Sequence, residues 1–123
     1  MKEVILIYKL ANNFVCKESS SYQMSILAEF LTNDVKCSNY DFYKVWANND
    51  QYDSSGGDYS SLEKRGDNII IMEDWAEEED PFIEMPKISF IHILDEWGRI
   101  CKDRPKEVLI TRDGDNFIFE KKS

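Results

Sequence analysis

The 123 residues of this chain suffice for one hydrophobic core, and an apolar content of 42% excludes general disorder. A formal net charge of −9 disfavours nucleic acid and anionic lipid as ligands, because both are negative, and it favours basic partners. We therefore predict one domain spanning residues 1–123, with no direct nucleic-acid binding and no membrane association.

The cysteines and the N-terminal residues bear on the cellular compartment. Cys16, Cys37 and Cys101 lack metal-ligand spacing, and an odd number of cysteines is typical of free thiols in a reducing environment. No small-residue cleavage site follows the first apolar run, so the run does not have the pattern of a signal peptide. Both observations favour a cytoplasmic location.

The N-terminal part contains a strand, a helix and a segment of mixed character. Val4–Lys9 predicts a central strand, because its first four residues are apolar without alternation. Ser19–Ser21 provides N-cap hydroxyls for a helix that runs to about Thr32. Tyr40–Ala47 suits a helix or a strand, and the possible cap Ser38–Asn39 favours the helix.

The middle of the chain is polar on both sides of one apolar run. Residues 48–68 are rich in Asn, Asp, Ser and Gly, which predicts a long loop of the kind that often binds a partner. A short strand is predicted within it at Tyr59–Glu63. Ile69–Met72 predicts a buried strand. Directly after it, Glu73–Asp80 places six carboxylates around Trp75 within eight residues.

A helix is predicted between two prolines. Pro86 suits the first turn of a helix, where its missing N–H is no loss, and Pro105 ends the helix. The predicted buried side, with apolar residues three or four apart, carries Phe90, Leu94, Trp97 and Cys101. The opposite side carries His92 and Glu96, whose spacing of four residues permits a surface pair.

Two strand-like segments follow this helix. Glu107–Arg112 and Asp115–Glu120 flank Asp113–Gly114, a pair typical of two-residue hairpin turns, where both positions need positive φ. The predicted register sets Ile110 opposite Phe117 and Val108 opposite Phe119. The complete order of elements predicts an α+β fold, with two or three helices packed on one face of a mixed or antiparallel sheet. The C-terminal helix is followed by the β-hairpin.

The sequence contains no recognisable catalytic arrangement. His92 is the only histidine, and Gly56–Gly57 lacks the Gly-Lys-Ser/Thr ending of a phosphate-binding loop. The acidic run lacks the ligand spacing and the glycine of a calcium loop. We therefore predict no enzyme activity, no catalytic residue, no metal and no cofactor. Paired carboxylates also leave open a small hydrolase, as the third of the possible functions.

The acidic run around Trp75 is the candidate partner-binding site. Crowded carboxylates beside a large aromatic side chain attract a basic surface and anchor it, although such a charge run is equally typical of a solvated loop. The polar segment before it repeats the combination of acids and an aromatic residue. The predicted binding residues are Asp53, Asp58, Tyr59, Glu73, Asp74, Trp75, Glu77, Glu78, Glu79 and Asp80.

The C-terminal third has a recognisable pattern. Phe90–Trp97 is a helical segment with Leu and Trp, and Cys101–Gly114 continues with Pro105-Lys106-Glu107, a β-branched strand and a turn. This pattern resembles the ending of small immunity proteins from contact-dependent growth inhibition and related polymorphic-toxin systems of bacteria. The resemblance implies a cytoplasmic, non-enzymatic inhibitor that binds a cognate toxin C-terminal domain.

Charge and resemblance together predict how such an inhibitor acts. Many of these toxins are nucleases, whose clefts are basic because they hold phosphates. The expected function is to cover that basic active-site cleft with the acidic surface. The first alternative is an acidic adaptor or a nucleic-acid-mimicking inhibitor of another basic protein, and the next is the small carboxylate-dependent hydrolase.

Overall fold

The computed structural model describes residues 2–122, which form two antiparallel sheets and three α-helices. The strands are β1 Glu3–Leu10, β2 Asn13–Ser19, β3 Ser54–Gly56, β4 Ser60–Arg65, β5 Asn68–Glu73, β6 Phe82–Pro86, β7 Glu107–Asp113 and β8 Asn116–Lys122. The α-helices are α1 Tyr22–Glu29, α2 Tyr40–Asn48 and α3 Lys87–Asp103, and a π-helical segment, Phe30–Val35, extends α1. The predicted α+β class, with a C-terminal helix followed by a hairpin, is confirmed.

Each sheet has four strands. The first sheet has the order β2-β1-β7-β8, so β1 is an interior strand as predicted, and the second has the order β3-β4-β5-β6. Along β1, Ile5 and Ile7 are buried while their neighbours are partly exposed, because one face of this sheet meets the core. In β5, Ile69–Ile71 are buried at three successive positions, so both faces of this strand are covered.

The helices pack their apolar sides into one core. The predicted buried side of α3 is confirmed: Phe90, Leu94 and Trp97 are fully buried, and Cys101 is 8% exposed. The indole N–H of Trp97 donates to the carbonyl of Lys36 at 2.6 Å, which satisfies its polar atom inside the core. Ser21 caps α1 by accepting the N–H of Met24. The segment of mixed character is helix α2, although Asn39 at its N-cap makes no capping hydrogen bond and donates to the Asp34 carbonyl.

The prediction of a long loop over residues 48–68 is wrong, because all of β3 and β4 lies within it. β4 corresponds approximately to the short strand predicted at Tyr59–Glu63. Polar residues dominate these strands, yet Ser60 and Leu62 of β4 are buried. Pairing of β4 with the apolar strand β5 supplies the stability that local propensity does not predict.

The predicted register of the C-terminal hairpin is wrong by two residues. Ile110 lies opposite Phe119, and Arg112 opposite Phe117, because the two turn residues are Gly114 and Asp115. Gly114 has a φ of 63° at the first turn position, where a type II′ turn favours glycine. A shift of two residues keeps each side chain on its predicted face, so the buried face survives the error.

The expectation of three free thiols is wrong for two of them. Cys37 and Cys101 form a disulfide with a Cα–Cα distance of 5.4 Å, and Cys16 is free and partly exposed. Burial and the nearby charge of Glu29 raise the pKa of the Cys16 thiol, which lowers its reactivity. Disulfides are rare in the cytoplasm, so this pair does not add support to the predicted location.

The permitted pair between His92 and Glu96 does not form. The Nε2 atom of His92 lies 3.0 Å from the carbonyl oxygen of Phe117, and Glu96 instead pairs with Arg99 at 2.8 Å.

Within residues 2–122, none of the helices has the length and apolarity needed to cross a bilayer.

Candidate partner-binding site

The connection between β5 and β6 carries the acidic run. A tight turn closes within residues 74–81, where the N–H of Asp80 donates to the carbonyl of Glu77 at 3.0 Å. The Asp80 carboxylate in turn accepts the N–H of Glu77 at 2.8 Å. These two bonds keep the run compact, and the side chains of Glu77–Asp80 are all exposed.

The turn between β3 and β4 lies beside this loop. Ser60 and Glu73 are paired across β4 and β5, and the N–H of Asp74 donates to the carbonyl of Tyr59 at 3.0 Å. The hydroxyl of Ser61 also donates to the Asp74 carboxylate at 2.9 Å. Two segments that share a composition of acids and aromatics are therefore neighbours in space.

We call this end of the second sheet the acidic end. It comprises Asp58, Tyr59, Glu73, Asp74, Trp75, Glu77, Glu78, Glu79 and Asp80. Trp75 is 65% exposed and Tyr59 is 46% exposed, so both rings are open to a partner. None of the ion pairs found in residues 2–122 involves a carboxylate of the acidic end.

Asp53 is the predicted binding residue that lies elsewhere. β3 runs antiparallel to β4, with Ser54 opposite Glu63, so Asp53 and Tyr59 lie at opposite ends of this strand pair. The carbonyl of Asp53 accepts the N–H of Lys64 at 2.8 Å. The structure therefore brings together every predicted binding residue except Asp53.

Two residues of α1 join the acidic end, although composition does not indicate them. The hydroxyl of Tyr22 donates to the Glu73 carboxylate, and this bond is the main reason why the pKa of Tyr22 is raised. Burial, followed by the charge of Glu73, raises the pKa of Glu29. Tyr22 and Glu29 are seven residues apart, so they share one face of the helix, but only the packing shows which sheet that face meets.

A buried carboxylate supports the turn that carries Asp58 and Tyr59. Asp34, in the π-helical segment, is 4% exposed, and its carboxylate accepts the backbone N–H of Tyr59. Because a buried charge needs polar partners, this contact fixes the turn against the helical layer. No pattern in the surrounding sequence indicates this role for Asp34.

The exposed groups of the acidic end are suited to contact with a basic surface. Its exposed carboxylates can accept hydrogen bonds from lysine and arginine, and its two rings can contact apolar or cationic groups. In the described part of the chain, no three His, Cys, Asp or Glu side chains are grouped so that they could hold a metal ion.

Comparison of the chain with protein-family models, curated proteins and solved structures finds no match.

Proposed function

We propose that this protein is a cytoplasmic immunity protein that neutralises a cognate toxin domain, a nuclease, by covering its basic active-site cleft with the acidic end. The observation that supports the proposal is the exposure of Trp75 and Tyr59 among carboxylates that have no ion-pair partner in residues 2–122. The resemblance of Phe90–Gly114 to immunity proteins indicates the class of partner.

The charge and the rings have separate roles in this proposal. A nuclease cleft attracts phosphates, and a compact group of carboxylates attracts the same lysines and arginines. Long-range attraction of this kind raises the association rate and weakens with salt, since the screening length is about 8 Å at physiological ionic strength. Exposed aromatic rings that become buried in the complex slow its dissociation.

The proposed cytoplasmic setting has a consequence for the cysteines. In a reducing compartment we expect Cys37 and Cys101 to be thiols, because glutathione and thioredoxin keep most cytosolic cysteines reduced. Neither cysteine lies at the acidic end. Binding of the toxin domain is therefore expected to be the same in the presence and absence of a reductant.

The experiment uses the C-terminal domain of the polypeptide encoded directly upstream, because a toxin gene is expected at that position. One variant reverses three charges of the acidic end: Glu77→Lys, Glu78→Lys and Glu79→Lys. A matched control reverses three exposed charges on the C-terminal hairpin: Asp113→Lys, Asp115→Lys and Glu120→Lys. Both variants have the same net charge, so any difference between them reports position.

The acidic-end variant is expected to associate with the upstream domain about tenfold more slowly at low salt, and by a smaller factor at high salt. The hairpin control should retain most of the wild-type association rate. Equal affinity of the acidic-end variant and the wild type would remove this surface from consideration. Failure of the wild-type protein to bind the upstream domain would refute the toxin partner itself.

The exposed charge also suits the first alternative, an acidic adaptor or a nucleic-acid mimic directed at another basic protein. Gene position separates the two, because an immunity gene lies directly downstream of a large toxin gene. A gene without such a neighbour would favour the alternative.

A further inference from the structure

An open apolar groove lies between α2 and β3, away from the acidic end. It has a volume of about 500 Å³ and is lined mainly by Phe42, Val45, Trp46, Asn49, Tyr52 and Ser54. Phe42 is 60% exposed and Val45 is 65% exposed. Single exposed apolar residues are ordinary, but several that line one groove are typical of a binding site.

The groove exists because α2 is apolar on two sides. Tyr43 and Ala47 are buried and attach the helix to the core, whereas Phe42 and Val45 lie on a different side. A surface helix normally has one apolar face and one polar face. Apart from an edge-on contact between the rings of Phe42 and Tyr43, the second apolar side of α2 is open to solvent.

The backbone of β3 offers hydrogen-bonding groups beside the groove. The N–H of Lys64 donates to the carbonyl of Asp53, and the N–H of Gly57 donates to that of Ser60. Bonded and non-bonded pairs alternate along antiparallel strands, so Ser54 and Gly56 direct their N–H and C=O groups away from β4. The hydroxyl of Tyr43 donates to the carbonyl of Gly56, so that carbonyl already has a partner. β3 is an edge strand, and the N–H and C=O groups of Ser54 face its open side.

The rim of the groove is acidic. Asp41 lines it, and Asp50 and Asp53 are exposed beside its lining residues. Of the two nearby lysines, Lys44 is paired with Asp95 at 2.5 Å. The Lys64 ammonium lies 5.0 Å from the centre of the Trp46 ring and keeps its charge, so one cation stands against the three carboxylates of the rim. A second copy of this chain, with its net charge of −9, would be repelled, whereas a basic segment would be attracted.

We propose that the groove between α2 and β3 binds an extended segment of a partner protein, with one apolar side chain in the groove and basic side chains on either side. The segment would pair with the backbone of Ser54, place its apolar side chain against Val45 and Phe42, and direct its basic groups to Asp41 and Asp53. Addition of a strand to a sheet edge is a general mode of peptide binding. The proposal does not depend on the acidic end or on the identity of a toxin.

The test uses two synthetic peptides with blocked termini, Lys-Thr-Leu-Thr-Lys and Glu-Thr-Leu-Thr-Glu. The lysine peptide is expected to shift the NMR signals of Phe42, Val45 and Ser54 and to slow hydrogen exchange of the Ser54 amide. The Ser55 amide should not change, because it already faces β4. The glutamate peptide should bind at least about tenfold more weakly, since its charges are repelled by the rim.

Two variants locate the binding. Val45→Asn removes the apolar contact at an exposed position and should weaken the lysine peptide about tenfold, which corresponds to the loss of one buried aliphatic side chain. Ile88→Asn is the matched control, because Ile88 is 79% exposed and does not line the groove. It should leave the affinity unchanged.

Three results would overturn the proposal. The first is the absence of any shift with the lysine peptide at millimolar concentration, and the second is equal binding of both peptides. The third is self-association of the wild-type protein that Val45→Asn abolishes, which would assign the groove to a second copy. Sedimentation of the wild type and of both variants detects this third result.

Discussion

The carboxylate of Asp34 accepts the backbone N–H of Tyr59, with the nitrogen 3.1 and 3.3 Å from its two oxygens. Asp34 belongs to the π-helical segment, and Tyr59 precedes β4. The bond therefore joins the helical layer to the end of the sheet where the proposed toxin-binding surface lies. Substitutions that disturb this bond should therefore alter the turn before β4, even where the substituted residue does not itself contact a partner.

Gly57 is expected to be intolerant of any side chain. A Cβ atom at this position would lie 2.5 Å from the Cγ atom of Asp34, which is closer than atoms pack. Gly57→Ala should lower the free energy of unfolding by about 1–3 kcal/mol, as overpacking usually does. Urea denaturation of the wild type and the variant measures this loss.

A double-mutant cycle tests the cause. Asp34→Ala removes the two closest atoms, Cγ and Oδ1, and leaves only the Cβ contact of 2.9 Å, so Gly57→Ala should be less destabilising in that background than in the wild type. Strict additivity of the two changes would show that Asp34 and Gly57 do not interact.

Tyr43 is expected to make the folded protein less stable at alkaline pH. Burial, followed by the charges of Asp34 and Asp58, raises the pKa of Tyr43 to about 12 from an ordinary value of 10. Because the folded pKa is the higher one, the contribution to stability is complete below pH 10. It is lost as the pH rises through about 12. The loss should be about 1 kcal/mol at pH 11.

Tyr43→Phe provides the comparison. At pH 8 this variant should be less stable than the wild type by about 1 kcal/mol, since it lacks the hydrogen bond to the carbonyl of Gly56. Because phenylalanine does not titrate, the difference should shrink or reverse by pH 11. A constant difference at both pH values would contradict the raised pKa.

Oxidation of Cys37 and Cys101 is expected to stabilise the fold. The disulfide closes a loop with a sequence separation of 64 residues, and constraint of the unfolded chain is worth on the order of 4 kcal/mol for a loop of this size. Denaturation with and without a reductant measures the difference. Thiol titration of the unfolded, oxidised protein should find one thiol, from Cys16.

The serine variants identify the bond responsible. Replacement of both Cys37 and Cys101 by serine should abolish the effect of the reductant, whereas Cys16→Ser should retain it. A response to the reductant that persists without Cys37 and Cys101 would exclude this disulfide as its source.

The protein is expected to be more stable with glycine in place of Lys36. Its backbone has a φ of 53° and a ψ of −144°, a region that glycine adopts far more readily than lysine. Relief of this strain, roughly 1–3 kcal/mol, exceeds the added flexibility of the unfolded chain, so Lys36→Gly should stabilise by about 1 kcal/mol. The Lys36 carbonyl that accepts the Trp97 indole N–H is kept. Lys106→Gly, at an exposed position without positive φ, should instead destabilise.

Elements with a strong local signal could be predicted from the sequence. The stripe of α3, the apolar runs of β1 and β5, and the hairpin after Pro105 all bury side chains at regular spacing, which is visible without any partner element. The exposed acids of Glu77–Asp80 could also be anticipated, because so many carboxylates in succession are rarely buried.

The remaining features depend on contacts between distant residues. β3 is a strand because β4 lies beside it, and no local pattern of Ser54–Gly56 conveys that. The hairpin register depended on which position of the turn Gly114 takes. The pairing of Cys37 with Cys101 depended on where α3 ends relative to the π-helical segment.

Composition and periodicity are properties of the chain alone, so the fold class, the acidic character of the molecule and the stretch that concentrates its charge could be predicted without a structure. Three features could not: Tyr59 lies beside Asp74, Asp53 lies at the other end of β3, and one apolar side of α2 stays open. Strand pairing and helix packing are set by the whole core, and spacing along the chain does not record them.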